Sequence, residues 1–278
     1  MMATLYDTTI EINSVQYGIS GIDVGNSRVK IHHDDVCLSF PYDKDWKRNV
    51  QHHFRDHVTK RYLIGLSSVN PKHTTAIVKV LQRIIGHQVI NAHQLLMRNE
   101  ALLKLGSVEN AGIDRMLGAI GAMVHKPSPL ITVDCGTAIT VNGVNAERIF
   151  LGGLIFAGIG TQLYGLAKMT AGIPELKFSE PDSSVGVNTQ SSLMAGIIAS
   201  VVGGISNGID SIQKEFFAGS TLPVVVTGGE GKYVSEQLNQ AGIKATYHPT
   251  IVTTGILQLL ASAKPTDIQD GVIEKIRH

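Results

Sequence analysis

The sequence of 278 residues predicts an α/β protein made of two related half-domains that face each other across a cleft. The strongest observation is the stretch from Asp134 to Thr140, where an apolar run leads into an acidic residue, a glycine and a second apolar run. A fainter copy occupies residues 21–30, with Asp23 and Gly25 in the corresponding places. Helices and strands alternate after each copy, which favours parallel strands joined by helical crossovers.

The first half, residues 1–126, is expected to begin with an extension over residues 1–17 and to continue as strands around the acidic turn. Apolar runs predict the strands, apolar residues at helical spacing predict the helices, and Gly86 is expected to end the second helix. The predicted strands are 17–23, 28–32, 36–40, 62–69 and 89–90, and the predicted helices are 46–58, 72–85 and 110–124.

A hinge is expected at Pro127-Ser128-Pro129, and the second half then extends over residues 127–278 with a polar tail from residue 264. Gly152 and Gly153 are interpreted as a loop or a helix entry. The predicted strands are 129–133, 139–144, 148–151, 223–227 and 244–247, and the predicted helices are 162–169, 189–217, 233–240 and 250–263.

The composition favours a globular protein of the cytoplasm. Hydrophobic residues make up 43% of the chain and charged residues 17%, and the net charge of +1 argues against nucleic acid as the main partner. Cys37 and Cys135 do not have metal-ligand spacing, and residues 1–17 lack the pattern of a signal peptide. The low-charge run 193–205 is shorter than a membrane span, so we expect no membrane partner and interpret the run as a buried helix or a subunit contact.

The two acidic turns have the chemistry of a nucleotide phosphate site. Gly25 and Gly136 would let backbone N–H groups approach phosphate oxygens. Asp23 and Asp134 stand at strand ends, where a carboxylate can bind the Mg²⁺ that accompanies a nucleotide. Lys30 could bind a phosphate as a point charge. A purely structural role is the alternative for each turn taken singly.

Asp114 is the candidate base for transfer of a phosphoryl group to a hydroxyl. It stands in Gly112-Ile113-Asp114-Arg115 at the start of a predicted helix, and Arg115 beside it could bind an anionic acceptor. A favourable charge at a helix N-terminus with a solvated arginine is the alternative interpretation.

The remaining reactive residues are interpreted as structural. The histidines lack a metal-ligand pattern and are expected to be exposed, and Cys135 is expected to pack beside its loop rather than act as a nucleophile. The histidines in question are His32, His33, His52, His53 and His57.

Taken together, the motifs resemble the type III pantothenate kinases, a family within the superfamily of acetate and sugar kinases, Hsp70 and actin. The resemblance covers residues 20–262 in order. It implies two ribonuclease H-like, or actin-like, half-domains with a nucleotide cleft between them. The motifs that carry it are Asp23-Val24-Gly25-Asn26-Ser27, Gly112-Ile113-Asp114-Arg115, Asp134-Cys135-Gly136-Thr137-Ala138-Ile139-Thr140 and Thr227-Gly228-Gly229.

The resemblance also implies an activity and its residues. It implies ATP-dependent phosphorylation of pantothenate, with Asp114 as the base, Mg²⁺ accompanying ATP, and K⁺ or NH₄⁺ bound by Asp134. Thr189 would contact pantothenate at the interface of a homodimer, to which the small residues of the following helix would contribute. ATP would be bound by Asp23, Val24, Gly25, Asn26, Ser27, Arg28, Val29, Lys30 and Thr137, and pantothenate by Gly112, Ile113, Asp114, Arg115 and Thr189.

Two departures from the family pattern leave two alternatives open. The family usually places a tyrosine that contacts pantothenate ahead of Gly112, whereas residues 96–110 contain none. The loop after Gly153 commonly carries Pro-Gly in the family, whereas this chain has Ala157-Gly158. The chain could instead be a nucleotide-binding regulator or accessory protein derived from the family, or a kinase for another small hydroxyl compound.

Overall fold

The computed structural model shows two compact units, each built around one β-sheet. The structure describes residues 9–12, 14–57, 61–84 and 88–271. The first unit combines the chain up to His125 with the residues from Thr250 onward, and the second is Lys126–Pro249.

Strands and helices alternate along most of the chain. The strands are β1 (Thr9–Ile12), β2 (Val15–Val24), β3 (Arg28–His33), β4 (Val36–Pro41), β5 (Tyr62–Ser68), β6 (Gln88–Asn91), β7 (Leu130–Cys135), β8 (Ala138–Val144), β9 (Phe150–Ala157), β10 (Val224–Gly228) and β11 (Ala245–Tyr247). The helices are α1 (Trp46–His52), which continues as a π-helical turn (His53–His57), α2 (Pro71–Leu81), α3 (Ala92–Leu96), α4 (Ile113–His125), α5 (Ile159–Met169), α6 (Thr189–Phe216), α7 (Gly231–Gln240), α8 (Ile251–Ala261) and α9 (Pro265–Gly271).

The sheets of the two units have the same topology. The first has the order β4-β3-β2-β5-β6 and the second the order β9-β8-β7-β10-β11. In each, the central strand is antiparallel to the next strand in sequence and parallel to the strand on its other side. The mixed α/β class and the paired half-domains predicted from the two acidic turns are therefore confirmed.

The N-terminal segment contributes a strand that the sequence did not predict. β1 pairs in antiparallel register with the start of β2, from Thr9 opposite Gly18 to Ile12 opposite Val15. The predicted extension therefore includes sheet structure. Its residues 1–8 and 13 lie outside the described residues, as do the predicted helix end at Val58 and the tail beyond Gly271. The predicted helix 72–85 is too long, because α2 ends at Leu81 and residues 82–84 form a turn.

The two faces of the first sheet pack against different helices. Ile22 and Val24 point to the apolar cluster that includes residues of α1 and α2. Gly21 and Gly65 lie on the opposite face, where they make room for α8. A Cβ on Gly65 would lie 2.4 Å from Cγ2 of Ile256, so α8 sits against the bare backbone of β2 and β5.

Helices α4 and α8 cross at backbone contact. A Cβ on Gly121 would lie 1.8 Å from the carbonyl oxygen of Ile251, and a Cβ on Gly255 would lie 2.0 Å from that of Leu117. Only glycine fits at these two places, because a methyl group would overlap the partner helix.

The C-terminal residues belong to the first unit, which differs from the division predicted from sequence. Residues 250–278 were expected in the second half, but the structure groups the described ones among them, residues 250–271, with the first unit. The reason is the burial of α8 on all sides, since it contacts α4 on one side and β2 and β5 on another. The boundary after His125 lies next to the predicted hinge at residues 127–129.

Gly152 and Gly153 lie within β9 rather than in a loop. Both have a positive φ, 79° and 157°, and a Cβ on Gly153 would lie 1.8 Å from the carbonyl oxygen of Val141 on β8. The glycine pair therefore marks close contact between two strands here, not a loop or a helix entry.

Helix α6 is longer than the low-charge run that the sequence analysis considered. Its 28 residues are long and apolar enough to cross a membrane by length and composition. Of its most apolar window, 44% is buried, and the helix packs against β8, β9, α5 and α7. Core helices of globular proteins meet the same length and composition criterion.

Gly121→Ala should destabilise the protein, because the new methyl group must push α4 away from the backbone of α8. We expect the free energy of unfolding to fall by about 1–3 kcal/mol. Gly118→Ala is the matched control on the same helix, since its Cβ would make ordinary contacts of 3.8 Å with Ile251 and Val252. The control should be neutral or stabilising by up to about 1 kcal/mol. Equal effects of both changes in urea denaturation would contradict the close crossing.

Candidate active site

Asp23 stands one residue before the end of β2, on the central strand of the first sheet. It is buried, and its register partners are Lys30 on β3 and Ser67 on β5. Register partners in a sheet point to the same face, so a carboxylate, an ammonium group and a hydroxyl lie side by side. This row combines a possible cation ligand with a possible phosphate ligand.

The turn after Asp23 is held by hydrogen bonds at both ends. The backbone N–H of Gly25 donates to the carbonyl of Arg28 at 3.1 Å, and the carbonyl of Gly25 accepts from the Tyr42 hydroxyl at 3.0 Å. Asn26 and Ser27 at the tip are exposed. The turn is thus fixed at its base while its tip is accessible to a ligand.

Tyr42 joins this turn to an aromatic cluster that the sequence did not indicate. Its ring stacks on His73 at 3.7 Å between centroids, and Trp46 lies edge-on at 5.2 Å. Burial, with a smaller contribution from the Asp23 carboxylate, raises the pKa of the Tyr42 hydroxyl. The hydroxyl therefore stays protonated and donates to Gly25.

Asp134 has the same place in the second unit, one residue before the end of β7. It is half-buried, and its register partners are Thr140 on β8 and Thr227 on β10. The carbonyl of the next exposed residue, Thr137, accepts from the Gly158 N–H at 3.0 Å and from the Thr161 hydroxyl at 2.6 Å. The start of α5 therefore braces this turn.

The third glycine turn lies beside Asp134 because β10 pairs in parallel with β7. Gly228 has a φ of 99°, and a Cβ there would lie 2.3 Å from the carbonyl oxygen of Cys135. The Tyr247 hydroxyl donates to the Gly228 carbonyl at 3.2 Å. Burial, followed by the charges of Cys135, Asp134 and Glu230, raises the pKa of the Tyr247 hydroxyl.

Two buried hydroxyls beside the acidic residues have no hydrogen-bond partner among the described residues. They are Ser67, in register with Asp23, and Thr227, in register with Asp134. A buried polar group is costly unless it has a partner, so these two hydroxyls are candidate ligand contacts. Sequence reasoning overlooked Ser67, although a polar residue at the end of an apolar strand was the available signal. It also overlooked Tyr42 and Glu230, whose positions depend on chain pairing.

Asp114 lies in the first turn of α4, in the first unit. Its Oδ1 accepts from the backbone N–H of Arg115 at 2.9 Å, and a Cβ on Gly112 would lie 2.6 Å from the same oxygen. Glycine at position 112 therefore leaves room for the carboxylate. Arg115 is half-buried, and burial lowers the pKa of its guanidinium while the Asp114 charge opposes that effect.

Some predicted ligands can act only through their backbone. The side chains of Val24 and Val29 lie fully in the core of the first unit, and Ile113 is also buried. Asn26, Ser27 and Arg28 are exposed, with the Arg28 guanidinium donating to the Ser39 hydroxyl at 3.3 Å.

Thr189 is exposed in the second unit as the first residue of α6. A capping box formed by Asn188 and Ser191 fixes the helix start, with Asn188 Oδ1 accepting from the Ser191 N–H at 2.9 Å. The predicted start of this helix is therefore confirmed.

The histidines are only partly as expected. His32 and His33 are buried, so the expectation that they are exposed is wrong. Nδ1 of His32 lies 3.2 Å from the Thr253 hydroxyl, and burial lowers the pKa of His32 to about 4. Nε2 of His33 lies 2.7 Å from Nε2 of His53. Among the described residues, no group of three potential metal ligands is present.

Cys135 is packed, as the sequence predicted. It is buried in the core of the second unit. Burial, followed by the charges of Asp134 and Glu230, raises the pKa of its thiol, so the thiol stays protonated.

Comparisons with known proteins identify the family. The model of the type III pantothenate kinase family matches residues 21–211. A curated type III pantothenate kinase from Sulfurihydrogenibium is 31% identical over 248 residues, which are 83% of this chain and 96% of the relative. The chain belongs to the type III pantothenate kinase family. A type III pantothenate kinase from Synechococcus elongatus is 32% identical over 156 residues, 56% of this chain and 61% of that relative.

Solved structures support the fold. A Campylobacter jejuni protein described as a member of the Baf family of transcriptional activators aligns with a TM-score of 0.57 at 19% identity, over 87% of this chain and 96% of that one. A Sinorhizobium meliloti protein described as a 2-dehydro-3-deoxygalactonokinase aligns with a TM-score of 0.52 at 10% identity. The alignment covers 87% of this chain and 97% of that one. At these identities the likeness concerns the fold alone. A type III pantothenate kinase chain thus shares its architecture with proteins of other descriptions.

Tyr42→Phe should weaken the turn after Asp23, because it removes the hydroxyl that donates to Gly25 while keeping the ring on His73. We expect the free energy of unfolding to fall by about 0.5–1.5 kcal/mol in urea denaturation. Tyr164→Phe is the control: Tyr164 is 57% exposed, and the change keeps its ring beneath Lys168. A control effect as large as that of Tyr42→Phe would contradict the anchoring role.

Proposed function

We propose that this protein phosphorylates pantothenate with ATP to give 4′-phosphopantothenate, the first step of coenzyme A biosynthesis. The observation that carries the proposal is the match to a curated type III pantothenate kinase over 96% of that relative's length. The acidic turns add chemical support, because each places a carboxylate beside a hydroxyl at the end of a central strand.

In the proposed assignment, the turn from Asp23 to Lys30 binds the phosphates of ATP. Its exposed tip offers backbone N–H groups, and Lys30 adds a positive charge in register with Asp23. The carboxylate of Asp23 and the hydroxyl of Ser67 are oxygen donors, which suit the Mg²⁺ that accompanies ATP. When bound, Mg²⁺ offsets negative charge on the transferring phosphoryl group. Thr137, exposed on its braced turn, is the assigned contact in the second unit.

Asp114 is the proposed base. The hydroxyl oxygen of pantothenate forms a bond to the γ-phosphorus, its proton passes to the Asp114 carboxylate, and the bond from the γ-phosphorus to the bridging oxygen breaks to release ADP. Asp114 is held for this role by the Arg115 N–H and by the space at Gly112. Arg115 is the proposed partner of the pantothenate carboxylate, because a guanidinium can bind a carboxylate through two hydrogen bonds.

Asp134 is the proposed ligand of a monovalent cation, K⁺ or NH₄⁺. The residues around it fit such an ion, since the hydroxyls of Thr140 and Thr227 are its register partners, and the buried Thr227 hydroxyl has no hydrogen-bond partner within the described part of the chain. The bound cation would supply positive charge at this acidic turn.

A homodimer in the cytoplasm completes the proposal. On α6, the small residues Gly196, Ala199, Ser200 and Gly203 are exposed, while Gly204 packs against Phe156 of the same chain. This exposed stripe supports a second copy as its partner. Thr189 would contact pantothenate at that interface.

Asp114→Asn should lower turnover by roughly 10²–10⁴-fold, because an amide cannot accept the hydroxyl proton. ATP binding should stay near that of the wild type, since Asp114 is not assigned to the phosphate turn. The measurement is ADP release with ATP, K⁺ and pantothenate, alongside calorimetry of ATP binding. Glu236→Gln is the control, because Glu236 is an exposed acidic residue on α7 that is assigned to no site. Normal turnover of Asp114→Asn would refute the base assignment.

The same assay separates the alternatives. Wild-type protein should release ADP only when pantothenate is present. ATP binding without release would favour a regulator, and release with a different hydroxyl compound would favour another acceptor.

Asp134→Asn should weaken activation by K⁺, because it removes the formal negative charge from the proposed cation site. We expect the K⁺ concentration for half-maximal activity to rise about tenfold or more, because of the free energy that an interaction with a charged group contributes. The measurement is ADP release at fixed ionic strength, with K⁺ replaced stepwise by tetramethylammonium. Glu147→Gln is the control, since Glu147 is exposed on the turn between β8 and β9. Unchanged K⁺ dependence of Asp134→Asn would remove Asp134 from the cation site.

A further inference from the structure

A groove on the surface of the first unit is lined by four cationic side chains. Lys47 comes from α1, and Lys72, Lys79 and Arg83 come from α2 and the turn after it. We call this feature the basic groove. Its volume is about 310 Å³. No carboxylate is among the described residues that line it, so the four charges face a common space without an anionic neighbour.

The spacing of these residues explains why they converge. Lys72 and Lys79 are seven residues apart and so lie on one face of α2, and Arg83 follows four residues later in the turn after the helix. Lys47 projects toward the same groove from α1, which packs against α2. The floor between the charges consists of Thr75, Ala76 and Val80, which are small or apolar.

The sequence around α2 has an unusual distribution of charge. Residues 57–99 contain no Asp or Glu, yet they include six Lys or Arg residues, in a chain whose net charge is only +1. Charges of alternating sign along a helix face are typical of an exposed helix with ion pairs. Within the described residues, none of the four cations of the basic groove forms an ion pair with a carboxylate.

We propose that the basic groove binds a small oligophosphate, or a metabolite carrying two or more phosphate charges, outside the acidic turns of the proposed active site. Four cationic side chains can bind several phosphate charges at once. The small or apolar residues between them leave room for a compact anion. Lysine and arginine together provide both point charges and a planar donor group for phosphate oxygens.

The basic groove also contacts the turn after Asp23 through a short chain of side chains. His73 neighbours Lys72, and the charges of Lys72 and Lys47 add to desolvation in lowering the pKa of His73. The His73 ring stacks on Tyr42, whose hydroxyl donates to Gly25. An anion that neutralises Lys47 and Lys72 should therefore raise the pKa of His73, which gives a local reporter of binding.

The test is calorimetry of inorganic tripolyphosphate at low ionic strength and fixed free Mg²⁺. A non-hydrolysable ATP analogue is present in excess, so that any nucleotide site is already filled. Lys79→Gln with Arg83→Gln removes two groove charges, and we expect the dissociation constant for tripolyphosphate to rise about tenfold or more. Lys177→Gln with Lys244→Gln is the matched control, since it removes the same charge from two exposed lysines of the second unit. The control should change the dissociation constant less than about twofold.

Two further measurements make the result decisive. The exchange Lys79→Arg with Arg83→Lys keeps both charges, so this variant should bind tripolyphosphate about as tightly as the wild type. NMR titration should show the pKa of His73 rising on addition of tripolyphosphate in the wild type, but not in the charge-removing double variant.

Several outcomes would overturn the proposal. One is that the wild type does not bind tripolyphosphate. Others are that Lys177→Gln with Lys244→Gln weakens binding as much as Lys79→Gln with Arg83→Gln, or that the latter leaves binding unchanged. The last is that a short DNA duplex binds the groove residues more tightly than tripolyphosphate. The readout is binding rather than turnover. A failure of the pantothenate kinase assignment would therefore leave this test unaffected.

Discussion

The pairing register of the central strand is the constraint on which each unit depends. Side chains alternate between the faces of a strand, so a slip of β2 by one residue would turn Asp23 into the apolar cluster and Ile22 out of it. The core residues prevent that slip. Burial of Ile22 and Val24 thus fixes the face on which Asp23, Lys30 and Ser67 lie together. The second unit repeats the arrangement with Val133, Cys135 and Asp134.

The close crossing of α4 and α8 is the second constraint, because α4 carries Asp114. The helices touch backbone to backbone at Gly121 and Gly255, and α8 in turn lies against Gly21 and Gly65 of the sheet. The position of Asp114 in the first unit therefore depends on a helix more than 130 residues later in the chain. The proposed base and the proposed phosphate turn belong to one packed unit, although α8 joins that unit from the far end of the sequence.

Each unit uses a tyrosine hydroxyl to hold a glycine turn. Tyr42 and Tyr247 each donate a hydroxyl to the carbonyl of a turn glycine, Gly25 and Gly228. In the first unit, however, Tyr42 also stacks on His73 at the edge of the basic groove. The two units thus share a hydrogen bond from a tyrosine to a turn glycine. The first unit adds the Tyr42–His73 stack beside the basic groove.

The sequence by itself determined the class of fold, the two acidic turns and the family, because these depend on local patterns: apolar runs, Gly next to a polar residue, and Gly112 beside Asp114. It also indicated the start of α6 and the packing of Cys135. Only the tertiary structure decided which residues lie beside the two acidic turns. Ser67, Thr227 and Tyr42 reach their places through strand pairing and hydrogen bonds over long sequence distances. The same holds for the burial of His32, for Gly152 and Gly153 inside β9, and for the return of α8 to the first unit. Each depends on a neighbour distant in sequence, which no local pattern specifies.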